Sequence, residues 1–169
     1  DWDRATTSCM SVLHAFFGDA RWSRISETIA RHERAAIPQS HLMPTVQECF
    51  GRLVSQQTAV ITLLPGDVAT DVLEFHGLRV GQEIDVVVGR DPEMRPKPEP
   101  DGVIDACRIL GVAPGSATMI GDSTWDAQAA LAAGATFVGV PADGFEEDIR
   151  ESIATAPTMD QALQGLGLE

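Results

Sequence analysis

Residues Ala117 to Asp126 read A-T-M-I-G-D-S-T-W-D, and the rest of the chain is organised around them. A short apolar run, Ala117 to Ile120, ends at Gly121; Asp122 and Asp126 follow, and then the alanine-rich segment Ala127 to Ala133. The run suits a buried parallel strand, the glycine a sharp exit, and the alanines a helix packed closely on a sheet. Asp122 then stands at the carboxyl end of a strand, with Asp126 one helical turn further on. Open α/β sheets bind their ligands at such strand ends. Two neighbouring carboxylates repel unless a cation sits among them, and Mg²⁺, a hard ion that takes oxygen ligands, is the natural candidate. The competing reading is that both residues cap the helix, since Asp is favoured near helix starts.

On either side of this stretch, strands alternate with helices. Apolar runs at Thr58–Leu64, Ile84–Val88 and Thr136–Val140 predict further strands. Helical spacing covers 9–17, 22–36, 45–56, 67–75 and 102–110, with a weaker helical tail over 145–166. Pro38 and Pro44 bracket a break between units, Pro65-Gly66 stops a strand, and Gly77 and Gly111 close helices. The pattern predicts an α/β fold, a Rossmann-like parallel sheet with helices on both faces. Residues 89–100, G-R-D-P-E-M-R-P-K-P-E-P, are too rich in proline for a helix interior or a central strand.

The totals narrow the function. The chain has 169 residues, the usual size of one domain, and 44% of them are hydrophobic, enough for a core. A formal charge of −13 disfavours nucleic acid as a partner, which would need a basic patch. No apolar run is long enough to span a bilayer, and no signal-peptide pattern opens the chain. Cys9, Cys49 and Cys107 form no CxxC pair; the set fits a reducing cytoplasm rather than a disulfide framework or a zinc site. Of the 12 basic residues only Lys97 is lysine. Where arginine has replaced lysine everywhere else, the one retained marks a place that needs a compact ammonium.

With these pieces in order, the chain resembles the haloacid dehalogenase-like hydrolase superfamily, in its phosphoglycolate-phosphatase-like branch. Four motifs carry the resemblance: Asp1-Trp2-Asp3, Thr62 ending A-V-I-T, Lys97 in K-P-E-P, and Gly121 to Asp126 as G-D-x-x-x-D. The match is strongest from Thr45 to Val140. It implies a Mg²⁺-dependent phosphatase that hydrolyses a phosphate monoester through an aspartyl-phosphate. An Asp like Asp1 attacks phosphorus. One like Asp3 protonates the leaving oxygen and then activates water. Thr62 and Lys97 stabilise phosphoryl charge. Asp1, Asp3, Asp122 and Asp126 are the implied metal residues, with Asp122 ligating directly and Asp126 ligating or orienting.

The chain also departs from the pattern. Arg4 and Ala5 follow Asp-x-Asp where the family usually has Gly-Thr, and Leu63 and Leu64 stand where a polar residue is common after Thr62. The central strand that leads into the nucleophile in the family is not among the 169 residues, so the expectation is that a short apolar strand precedes Asp1 or another segment fills the gap. The family's cap region is short. The expected division is a core of residues 1–14 and 42–169 with a reduced helical cap over 15–41. That leaves an open site, one covered by a second subunit of a homo-oligomer, or one suited to a large phosphorylated substrate. A different class of function, an impaired member that binds a phosphorylated ligand or a protein, follows from Arg4 and Ala5. Dehalogenase chemistry, which needs no metal, fits Asp3 and the Gly121-Asp122 pair less well.

Overall fold

The structure, a computed structural model, describes residues 10–145 and 147–168. Helical residues 10–15 (α1) are followed by α2 (Trp22–Ala36), α3 (Val46–Arg52), β1 (Ala59–Ile61), α4 (Gly66–Phe75), β2 (Val86–Val88) and α5 (Asp101–Leu110). Then come β3 (Thr118–Gly121), α6 (Thr124–Ala133), β4 (Thr136–Gly139), α7 (Glu147–Arg150), β5 (Ala154–Thr155) and α8 (Met159–Gly165). All strand pairs in these elements are parallel.

The strands form two ladders, β1–β2 and β3–β4–β5, and among the described residues none joins β1 to β3. Helices link the two parts. Val103 and Cys107 of α5 pack with Ala127, Ala129 and Ala130 of α6 in one buried cluster, and Ile61 of β1 and Met119 of β3 lie against it. Alternate residues of a strand point to opposite faces. Ile120 accordingly packs on the other side, against Cys49, Leu53 and Leu163 of the α3–α8 layer. Helices on both faces are thus what the apolar strands and the small alanines of α6 require. Cys49 and Cys107 are buried free thiols.

The predicted helices 22–36, 67–75 and 102–110 agree with α2, α4 and α5 to within a residue. Helix α6 begins at Thr124 rather than Ala127, and α3 ends at Arg52 rather than Gln56. The helical tail is corrected outright: residues 145–166 hold two short helices and strand β5, which pairs with β4 at Val138–Ala154 and Gly139–Thr155. Two residues of strand carry no period that can be read from sequence. Among the described residues no helix is long and apolar enough to cross a membrane.

Candidate active site

Thr62 follows β1 directly and extends its ladder, its N–H donating to Val88 O at 3.0 Å. Its hydroxyl oxygen accepts from the Leu64 N–H at 3.2 Å, which folds the exit of the strand into a tight loop. The exit of β2 lies alongside: a Cβ on Gly89 would sit 2.3 Å from Gly66 N, so only glycine lets these two backbones touch. The proline-rich loop that follows is pinned at both ends. Arg90 donates from its backbone N–H to Leu64 O at 2.8 Å, and Arg95 holds Asp101, in the first turn of α5, at 2.6 Å. That guanidinium keeps the Asp101 carboxyl below its usual range.

Between these anchors Lys97 turns inward, its side chain only 13% exposed. The ammonium donates to Ile61 O at 3.4 Å and pairs with Asp126 Oδ1, whose side chain is 6% exposed. Asp126 is further engaged by Ser123. Its Oδ2 accepts from the Ser123 hydroxyl at 2.6 Å and from the Ser123 N–H at 3.2 Å, while Asp126 N–H donates back to Ser123 Oγ at 3.2 Å. This is a reciprocal capping box that starts α6. The capping reading of Asp126 is therefore the one the geometry displays, and its second task is to hold Lys97. Asp126 packs so closely that a Cβ on Gly121 would lie 2.7 Å from its Cβ and 3.0 Å from its carboxyl carbon. The glycine of the motif is thus required by the last carboxylate of the same motif. Gly121→Ala is expected to cost about 1–3 kcal/mol by overpacking. Urea denaturation checks this, and an unchanged midpoint would contradict it.

Asp122 stands at the end of β3 with its residue largely exposed. Protein mass around the carboxylate nevertheless strips part of its hydration and pushes its pKa up; the neighbouring Asp126 charge adds to this and Lys97 opposes it. A carboxylate that is costly to ionise alone is one that a cation would relieve. Among the described residues no three His, Cys, Asp or Glu side chains converge on a metal position. Asp122 fits as one carboxylate ligand of an ion that binds through one or two carboxylates and otherwise through water and phosphate. Asp126, with both oxygens committed, fits as the group that orients its neighbours. Asp1, Asp3, Arg4 and Ala5 lie outside the described residues.

The structure thus brings Lys97 onto Asp126 and beside the strand end that carries Thr62, with Asp122 close enough for its ionisation to respond to both. Two contributors were not predicted. Ser123 reads as a spacer in G-D-x-x-x-D, although a Ser three residues before a carboxylate is a helix-start signal. Arg90 reads as a loop arginine, yet its side chain is 1% exposed. It donates to Leu63 O at 2.7 Å, Ser26 Oγ at 2.9 Å and Glu33 Oε2 at 3.0 Å, and so ties α2 to the loop after Thr62.

The haloacid dehalogenase-like hydrolase family matches residues 10–140, and the chain belongs to that family. It is 30% identical over 132 residues to the phosphoglycolate phosphatase of Escherichia coli K12, an alignment covering 75% of this chain and 52% of that protein. The chain therefore spans about half the length of the curated relative. The crystal structure of a hydrolase from Pseudomonas syringae superposes with a TM-score of 0.72 at 26% identity, covering 88% of this chain and 71% of that one. A haloacid dehalogenase phosphatase from Thermococcus onnurineus shares the fold over 99% of this chain and 81% of that one, with a TM-score of 0.70 at 22% identity.

Proposed function

We propose that this chain carries the catalytic core of a Mg²⁺-dependent phosphatase acting on a phosphate monoester. The observation that carries this reading is the Lys97 ammonium, lodged between the β1 strand end and the buried Asp126 and one residue's carbonyl away from Thr62. A fixed positive charge and a hydroxyl at a strand end are what a transferring phosphoryl group needs. Asp1 attacks phosphorus, and the bond to the ester oxygen breaks as Asp3 gives that oxygen a proton. Asp3, now a carboxylate, takes a proton from water as the water oxygen attacks the phosphoryl group. The bond from phosphorus to Asp1 breaks, releasing inorganic phosphate and restoring both carboxyl groups. Thr62 and Lys97 contact the phosphoryl oxygens throughout, and Asp126 keeps Lys97 aimed. Mg²⁺, held by Asp122 with Asp1 and Asp3, would supply positive charge that lets an anionic nucleophile approach an anionic ester.

Helix α2 and the segment around it, residues 15–41, serve as the reduced cap, which leaves the entrance open to solvent, to a second subunit or to a bulky substrate. The relative's phosphoglycolate activity places small phosphate esters first in a screen. A panel of phosphate monoesters assayed with the full-length protein, with and without Mg²⁺, tests the reading. Release of inorganic phosphate that EDTA abolishes and Mg²⁺ restores is expected. Phosphate-ester binding without turnover would favour instead the impaired binding module to which Arg4 and Ala5 point.

A further inference from the structure

The side chain of Arg90 is 1% exposed, against 21% for its partner Glu33. Taking a guanidinium out of water is costly unless its N–H groups find acceptors. Here all five do. Nε donates to Ser26 Oγ at 2.9 Å, Nη1 to Leu63 O at 2.7 Å and to Glu33 Oε1 at 3.2 Å. Nη2 donates to Ser26 O at 3.1 Å and to Glu33 Oε2 at 3.0 Å. Four of these bonds end on α2 and the fifth on the loop after Thr62. The backbone of the same residue holds that loop as well. Arg90 N–H donates to Leu64 O at 2.8 Å, and Leu64 N–H donates to the Thr62 hydroxyl at 3.2 Å. One residue therefore grips the helix and the Thr62 loop at once.

Other anchors along α2 act in the same sense. Trp22, its first residue, and Ile37, just past its end, are both buried. Ser40 Oγ donates to Ile37 O at 2.7 Å and meets His76 Nε2 at 2.8 Å. His76 is the C-cap residue of α4, the helix that also takes Arg34 on Asp67 and Asp71. Segments that open during turnover are drawn from the weakly held parts of a fold. Helix α2 is instead held from its first residue to beyond its last, around a buried ion pair. Parting such a pair from one side keeps the open state to about one molecule in a hundred or fewer.

We infer that Arg90 is a positioning residue that makes α2 a fixed wall of the site rather than a lid: the helix and the Thr62 loop stay joined through the whole of turnover. Turnover as a readout rests on the phosphatase reading above; amide exchange does not. Parted from the core, a helix of 15 residues is marginal in water, so each opening would bare its amides. In the full-length protein the α2 amides are expected to exchange within about tenfold of those of α4, and faster exchange than that would overturn the inference. A covalent strap asks the same of the working enzyme. Arg34→Cys/Asp71→Cys, bridged with bismaleimidoethane, ties α2 to α4; Cys9→Ser leaves only the buried Cys49 and Cys107 beside the new thiols. Bridging is expected to leave kcat on p-nitrophenyl phosphate within about threefold of the unbridged variant, and a larger fall makes α2 a moving lid. Arg90→Lys keeps the charge but not the fork of five donors. It should lower kcat about tenfold when Thr62 is present and hardly at all in a Thr62→Val background, because it acts through the Thr62 loop. Equal losses in both backgrounds, or none in either, would remove the positioning role. Slow exchange in α2 without any phosphatase activity would contradict the phosphatase reading alone.

Discussion

Lys97→Arg is expected to lower turnover about 10²–10³-fold, the usual cost of removing a donor aimed at a transferring group. The reason is shape. The lysine ammonium sits on a carbonyl and a carboxylate at once, in a place 13% exposed and closed on one side by the capping box of α6. A planar guanidinium is larger and must push Asp126 off Ser123 or withdraw from Ile61 O. Lys97→Met should lose turnover as severely and stability as well, because it leaves the buried Asp126 carboxylate without its cation. The double variant Lys97→Met/Asp126→Asn separates the two effects: the stability loss should be partly recovered, the turnover not. Steady-state kinetics beside urea denaturation make the comparison. Near-wild-type turnover in Lys97→Arg would remove Lys97 from the chemistry.

Arg90→Met is expected to destabilise the fold by about 3–5 kcal/mol, the range for breaking a buried ion pair from one side. The guanidinium is 1% exposed and satisfies Leu63 O, Ser26 Oγ, Ser26 O and both oxygens of Glu33, so its removal strands acceptors on two elements. Pairing it with Glu33→Met should recover part of the loss, since apolar groups of similar volume can replace a buried pair. A fall in the urea midpoint at unchanged slope is the expected signature. A loss below about 1 kcal/mol would mean that α2 is held chiefly by Arg34 and its two exposed aspartates, pairs whose usual value is small.

These two residues differ in how far the sequence discloses them. Lys97 is the single lysine of the chain and stands in a proline-rich loop, and both facts are local. Arg90 is one of eleven arginines, and its partners lie 27, 57 and 64 residues away along the chain. No periodicity or spacing marks such a residue, because burial of a long charged side chain is decided by what packs over it. Asp126 lies between these cases. The sequence offered it both as a cap and as a metal residue, and only the position of Ser123 and Lys97 around its two oxygens favours the first.

Sequence alone disclosed the alternation of strands and helices, the glycine exit at Gly121 and the family, and it named Thr62, Lys97, Asp122 and Asp126 as candidates. All of these follow from side-chain period, from turn residues and from chemistry written within a few positions. The tertiary structure alone decided the division of the strands into β1–β2 and β3–β4–β5, the short β5 in the tail, the buried Arg90 clamp on α2, and the commitment of Asp126 to Ser123 and Lys97. Each depends on groups far apart in the chain meeting out of water, where an unpaired charge or backbone group costs too much to remain and only the finished packing determines which partner it finds.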